Sequence, residues 1–361
     1  MRFVSLRFHN FRNLKEAIVD TDSKNIVLLG ANGQGKTNFL EALYLLCYGS
    51  SFRCSNIKEM VAHNKKEFRL SAVVESDDKL KQQLQLTYSE GKREIRIDGK
   101  EVKDRRQLVY NIPCIVFSHD DIEFVRGVPE SRRRFFDQTM SLYDPLFFDD
   151  LRRYRSVLKQ RNAAIKENLL SLVPIYNHQL ATSGLAIQQK REAETQQFNK
   201  IFGPLYQSVS NSSVNLRISY RPSWKNCTTV EQIEEILSTN IERDVIMQTT
   251  TSGIHRDQFV VMQDKSQFNT VGSTGQMRLA SLIFRIVQVQ TYYKHTNKLP
   301  LLLVDDVLLE LDLEKRALFL DLLENYSQAF FTFLPRENYF SKENEGERLT
   351  YKVTDGEFVK T

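Results

Sequence analysis

The short apolar run Ile26-Val-Leu-Leu29 leads directly into Gly30-Ala31-Asn32-Gly33-Gln34-Gly35-Lys36-Thr37, and a helical pattern of Phe39, Leu40, Leu43 and Leu46 follows. A buried strand, a glycine-rich bend and a helix facing that strand leave few folds open. The segment reads as the strand, loop and helix of a phosphate-binding site, whose G-x-x-x-x-G-K-[ST] spacing it matches. Gly30, Gly33 and Gly35 let successive backbone N–H groups curl around phosphate oxygens at a helix N-terminus. Lys36 is spaced to reach the β and γ phosphates, and Thr37 to place its hydroxyl on Mg²⁺.

A triphosphate site needs a second metal partner, and Leu301-Leu-Leu-Val-Asp305-Asp306 supplies an acidic pair at the end of an apolar strand. Asp305 is the expected Mg²⁺ ligand. Asp306 is the expected group that orients or deprotonates an attacking water. More than 200 residues separate Thr37 from Asp305, so a large insertion is expected. The 361 residues suit about two domains.

The inserted stretch has helical spacing. Leu146–Val173 contains neither Gly nor Pro, and Phe147, Leu151, Tyr154, Leu158, Ile165, Leu169 and Leu172 recur three, four or seven apart. The spacing predicts one helix about 40 Å long, broken at Pro174. A second helix is predicted from about Tyr176 to Phe202, stopped by Gly203-Pro204. Together they suggest an antiparallel helical arm, with two ordinary helices of a compact domain as the alternative. Elsewhere, Ile95 and Ile97 alternate beside Asp98-Gly99, a hairpin signal.

Before the acidic strand lies Gly272-Ser-Thr-Gly-Gln276, followed by the helical pattern Met277, Leu279, Ala280, Ile283, Phe284 and Val287. Ser273, Gly275 and Gln276 read either as a second anion site, offered across an interface between two copies, or as a plain N-cap at Ser273.

Charge is less directive, because 50 Lys and Arg against 45 Asp and Glu leave a net of +5. Local clusters matter more. Arg132-Arg133-Arg134 sits at an expected helix start, where the macrodipole disfavours positive charge, so it asks for an anion or for neighbours such as Glu130 and Asp137. Arg152, Arg155, Lys159 and Lys166 fall on one side of the predicted helix. This is either a rail for the DNA backbone, giving sequence-independent and salt-sensitive affinity, or a solvated face. His255-Arg256-Asp257 reads as an Arg256–Asp257 ion pair or a support for a composite site. Cys47, Cys54, Cys114 and Cys227 form no C-x-x-C pair, which suits a reducing compartment. No secretory leader pattern opens the sequence, and a cytoplasmic protein without membrane association is expected.

These residues resemble the head of an ABC-type ATPase of the SMC class and, more narrowly, the RecF family of bacterial recombination mediators. The resemblance rests on Leu6-Arg-Phe-His-Asn-Phe-Arg-Asn13, Gly30–Thr37, Val116-Phe-Ser118, Gly127–Asp137, Leu158-Lys-Gln-Arg-Asn162, Ser252–Asp257, Ser273–Gln276 and Asp305-Asp306 with Glu310-Leu-Asp312, all in family order. His119-Asp-Asp121, Thr274 and Leu309 depart from the family's usual residues. The resemblance implies an α/β fold, an ABC/SMC-like ATPase head (1–136 and 250–361) with an inserted helical arm domain (137–249). It implies ATP at Gly30–Thr37, Mg²⁺ at Thr37 and Asp305, and catalysis by Lys36, Asp305 and Asp306. Ser273, Gly275 and Gln276 would contact the γ phosphate in an opposite subunit, and the Glu310–Asp312 turn would line the dimer seam. ABC heads generally carry Glu where Asp306 stands, so slow hydrolysis is expected. The implied partners are double-stranded DNA and single-strand/duplex junctions, a second copy in an ATP-dependent homodimer, and the mediators RecO and RecR, which act in recombinase loading at gaps and in replication restart. A transporter ATPase subunit and a small-molecule kinase stay open as alternatives.

Overall fold

The computed structural model describes residues 1–335 and 348–361. The chain forms two compact units, Met1–Asp121 with Gln288–Thr361, and Ile122–Val287. Beside the expected 137–249, the second unit takes in 122–136 and 250–287.

In the first unit, β1 (Arg2–His9), β2 (Ala17–Asp20), β4 (Phe68–Glu75), β5 (Lys81–Ser89), β6 (Lys92–Ile97) and β7 (Lys100–Glu101) form an antiparallel sheet in the order β2-β1-β4-β5-β6-β7. Its strands alternate buried and open residues, as in Phe68–Glu75, because one face packs and the other is solvated. Asp98 and Gly99 both have positive φ, 48° and 77°, making the expected tight hairpin between β6 and β7.

The second sheet has the order β15-β14-β3-β13-β12-β8, from β3 (Asn25–Leu29), β8 (Cys114–Phe117), β12 (Leu301–Asp305), β13 (Gln328–Phe333), β14 (Arg348–Thr354) and β15 (Glu357–Lys360). β14, β3, β13, β12 and β8 run parallel, with β15 antiparallel at the edge. The apolar runs in β3, β8, β12 and β13 are buried on both sides, the pattern of a covered parallel sheet. α1 (Lys36–Tyr48) belongs to the core that joins the sheets: Phe39 packs against Phe8 of one and Phe330 of the other. Buried Gln328 stitches them, accepting from Phe3 N–H (2.8 Å) and donating to Phe3 O and Thr21 O. The short α2 (Arg106–Asn111) and α11 (Leu313–Leu322) complete this unit.

The second unit holds α3 (Glu123–Arg126), α4 (Pro129–Tyr143), α5 (Pro145–Lys166), α6 (Val173–Ser210), α7 (Val230–Thr239), α8 (Ile241–Met247) and α9 (Phe268–Val271). It also has a three-stranded sheet β11-β10-β9 from β9 (Leu216–Arg221), β10 (Gln258–Gln263) and β11 (Ser266–Gln267). α10 (Thr274–Thr296) starts here and ends in the first unit.

Two helix boundaries differ from the sequence reading. α5 stops at Lys166, because Asn168 takes a left-handed φ of 57° and Leu169 N–H bonds back to Ala164 O, a left-handed helix stop. Pro174 therefore starts α6 instead of breaking α5, in the first turn where proline needs no N–H partner. α6 continues through Gly203-Pro204 to Ser210. Gly203 is there for proximity: a Cβ on it would stand 2.7 Å from Leu216 O of β9.

α5 and α6 pack along each other, but α7, α8 and β9 cover them as well, so the pair is the core of a lobe. Two buried arginines organise it. Arg161 donates to Asn177, Asp244 and Thr250. Arg191 grips Asp137 with two nitrogens and reaches Asp257 at 2.8 Å and Ile254 O at 2.7 Å. Burying such charges is tolerable only when every donor is matched.

Candidate functional site

The first unit gathers the loop and the acidic pair. Because β3 and β12 flank β13 in one parallel sheet, their C-terminal ends open at the same edge, where such sheets hold ligands. Gly33 and Gly35 take φ of 80° and 112°, and Gly35 is the N-cap of α1. A side chain at Gly35 would also strike Leu14 Cδ2 at 2.8 Å.

Lys36 is buried, 3% exposed. Its Nζ donates to Gly30 O (2.7 Å) and Ala31 O (3.3 Å) and stands 3.3 Å from Asp306 Oδ2. Thr37 Oγ1 donates to Asp305 Oδ1 at 2.8 Å. Lys36, Thr37, Asp305 and Asp306 thus form one contiguous cluster. Asn32 and Gln34 lie in the same loop, with Asn32 exposed.

Thr332 is a residue that sequence reasoning missed. It stands opposite Asp305 in the β12–β13 register, donates to Asp305 Oδ1 (3.1 Å) and accepts from Asp306 N–H (2.8 Å). The available signal was a lone hydroxyl within the apolar run Gln328–Phe333. Glu41, one turn beyond Thr37, was missed too. Fully buried, it is held by Arg12 through two nitrogens at 2.9 Å and by Ser51 Oγ.

The acidic pair is asymmetric. Burial pushes the Asp305 carboxyl above the usual carboxylate range, opposed by the Thr37 hydrogen bond. Asp306 has a left-handed φ of 51°, and its Oδ1 is buried with no hydrogen-bond partner among the described residues. A hydroxyl and a carboxylate side by side, next to an orphaned carboxylate oxygen, suit a small divalent cation completed by phosphate oxygens. Thr37 and Asp305 are the residues that would hold it.

The Ser273 turn belongs to the second unit. Ser273 Oγ accepts from Gln276 N–H (3.3 Å) while Gln276 Oε1 accepts from Ser273 N–H (2.8 Å), a reciprocal cap on α10. Ser273, Thr274, Gly275 and Gln276 are all exposed, and nothing lies within 4 Å of a Cβ at Gly275. The N-cap reading and an outward-facing anion site are therefore compatible. The Glu310 side chain lies outside the described residues. Asp312 caps α11, accepting from Lys315 N–H.

The arginine triplet divides. Arg132, 8% exposed, donates to Val125 O and Gly127 O at the end of α3, so it is removed from the DNA-contact set. Arg133 donates to Asp257 O. Arg134 is exposed beside Glu130 at 3.6 Å. Arg152, Arg155, Lys159 and Lys166 are all exposed on α5, with Arg155 3.7 Å from Asp137. The expected Arg256–Asp257 pair is corrected: Arg256 is exposed, while buried Asp257 takes Arg191, Tyr220 OH and Ser223 N–H. His255 Nε2–H donates to Thr250 O, and its Nδ1 accepts from Tyr154 OH. The four cysteines are free.

This fold and cluster define a P-loop ATPase-type head of the SMC class. Residues 3–355 match the model of the RecF/RecN/SMC N terminal domain family, and the chain belongs to that family. Curated RecF proteins are among those similar to it. The chain is 39% identical over 349 residues to the DNA replication and repair protein RecF of Treponema pallidum (strain Nichols), covering 96% of this chain and 98% of that one. It is 31% identical to RecF of Leptospira interrogans serogroup Icterohaemorrhagiae serovar Lai (strain 56601), over 91% and 90%. A solved structure of the recombination mediator RecF with ATP, in the RecFOR pathway, superposes with a TM-score of 0.89 at 27% identity, covering 99% of this chain and 97% of that one. An Smc head bound to the C-winged helix domain of ScpA shares the fold at TM-score 0.55 and 15% identity, over 100% and 98%.

Proposed function

We propose that this chain is a RecF-type recombination mediator: an ATPase that binds ATP with Mg²⁺, pairs with a second copy around the nucleotide, and holds duplex DNA near single-strand gaps. The observation that carries the reading is the single cluster in which Lys36, Thr37, Asp305 and Asp306 meet. The RecF relatives and the RecF–ATP structures support it. They count against a transporter subunit or a small-molecule kinase.

Loop amides of Ala31–Gly35 would cradle the phosphates. Lys36 would exchange the Gly30 and Ala31 carbonyls for phosphate oxygens. Mg²⁺, when bound at Thr37 and Asp305, supplies charge neutralisation on those oxygens. Thr332 fixes Asp305 and the Asp306 backbone, leaving Asp306 Oδ1 to accept a proton from the attacking water. Asp306 is one methylene shorter than the Glu of related heads, which supports slow turnover. In the dimer, Ser273, Gly275 and Gln276 of a second copy would complete the γ-phosphate shell. The α5 rail of Arg152, Arg155, Lys159 and Lys166, with Arg134, would carry the DNA backbone. RecO and RecR would act downstream, in recombinase loading. No helix among the described residues is long and apolar enough to cross a membrane, and free cysteines suit a cytoplasmic setting.

The test is titration of fluorescent duplex, single-stranded and gapped DNA with and without ATP, using wild type and Lys36→Ala. ATP should strengthen duplex and gap binding in the wild type and not in Lys36→Ala. Equal DNA binding with and without ATP would contradict the proposal.

A further inference from the structure

The turn of the last hairpin is hydrogen-bonded to the phosphate loop. Asp355 and Gly356, with φ of 46° and 75°, join β14 to β15. Asp355 N–H donates to Gln34 Oε1 (2.6 Å), and Gly356 N–H donates to Gln34 O (2.9 Å). Gly356 O accepts from Lys15 N–H at 3.0 Å. Asn13 closes the remaining side, its Nδ2 donating to Gly33 O at 3.1 Å. The fit is tight: a Cβ on Gly356 would stand 2.1 Å from Asn13 O.

Two segments distant in sequence, Asn13–Lys15 and Asp355–Gly356, therefore converge on the loop. None of these bonds is needed to form β3 or α1, which have their own ladders. Their effect falls on residues 33–35, whose amides must point together for phosphate to be bound. A loop free to spread has to be ordered by its ligand, which weakens binding; a loop already held does not.

We infer that the Asp355–Gly356 turn, working through Gln34 and Asn13, is a clasp that sets the width of the phosphate loop and so its affinity for polyphosphate. Gln34 and Gly356 are positioning residues. The inference rests on the reading of Gly30–Thr37 as a nucleotide site.

Isothermal titration with ATP and with ADP, and steady-state hydrolysis, test it on Gly356→Ala, Gln34→Ala and a control, Gly99→Ala. Gly99 has nearly the same φ, 77°, but nothing within 4 Å of its Cβ position, so it carries the backbone strain without the clasp. Gly356→Ala and Gln34→Ala should weaken both nucleotides by about tenfold and raise KM with little change in kcat, as expected when binding alone is loosened. Gly99→Ala should bind like wild type. ATP affinity within about twofold of wild type in both clasp variants would overturn the clasp while leaving the nucleotide site intact. A wild type that binds no ATP would overturn the nucleotide reading and the clasp with it.

Discussion

His255 shows how one buried side chain ties stability to pH. Burial pushes its imidazole down to about 4, with the Thr250 carbonyl working the other way. The folded chain therefore keeps His255 neutral where an unfolded chain, with an ordinary pKa near ~6.5, is protonated. Extra protons on the unfolded state mean that stability is lost as pH falls from about 6.5 towards 4, by up to about 3 kcal/mol from this group. His255→Gln should flatten that part of a urea-midpoint against pH curve; an unchanged slope would remove His255 from the acid response. Arg191 makes a larger claim. Replacing it with Met leaves buried Asp257 without its ion-pair partner and Asp137 with the exposed Arg155 at 3.7 Å, which should destabilise the second unit by about 3–5 kcal/mol. Loss below about 1 kcal/mol in chemical denaturation would mean that water or another group neutralises the pair. That Lys36, Thr37, Asp305 and Asp306 belong together was legible at this scale, because glycine spacing, Lys36 and a strand-end Asp305 are local patterns. Thr332 and Glu41 were not, because their partners are set by sheet register and helix packing. The Arg256–Asp257 expectation failed for the same reason: adjacency in sequence says nothing about which side chain turns inward.

At the level of elements, periodicity located the two long helices but not their ends. α5 ends on the left-handed Asn168 and α6 tolerates Gly203-Pro204, both decided by neighbours that a hydrophobic pattern does not record. The same pattern correctly left Arg152, Arg155, Lys159 and Lys166 outside the buried stripe. If that face tracks DNA, reversing Arg152, Arg155 and Lys159 to Glu should weaken duplex binding by at least about tenfold and lower the slope of log affinity against log salt by about 2–3, one phosphate contact per residue. An unchanged slope would make the face merely solvated. Arg132 needs no such test, since it serves the carbonyls of Val125 and Gly127.

For the whole molecule, the α/β class was legible through the resemblance, while the interval between Thr37 and Asp305 announced only that a large insertion separates them; α4, β10 and the start of α10 group with the second unit through packing, which no local pattern records. The exposed Ser273 turn and the buried Lys36 cluster reside in different units, and in the proposed function they would meet across two copies of the chain. Asp306→Asn should keep ATP affinity, lose hydrolysis by at least about a hundredfold, and hold the dimer. Nucleotide-dependent pairing is read out by multi-angle light scattering of wild type and Asp306→Asn with ATP, ADP and no nucleotide. A dimer is expected with ATP, persistent in Asp306→Asn, and dissociation with ADP. A monomer at saturating ATP in both proteins would contradict it.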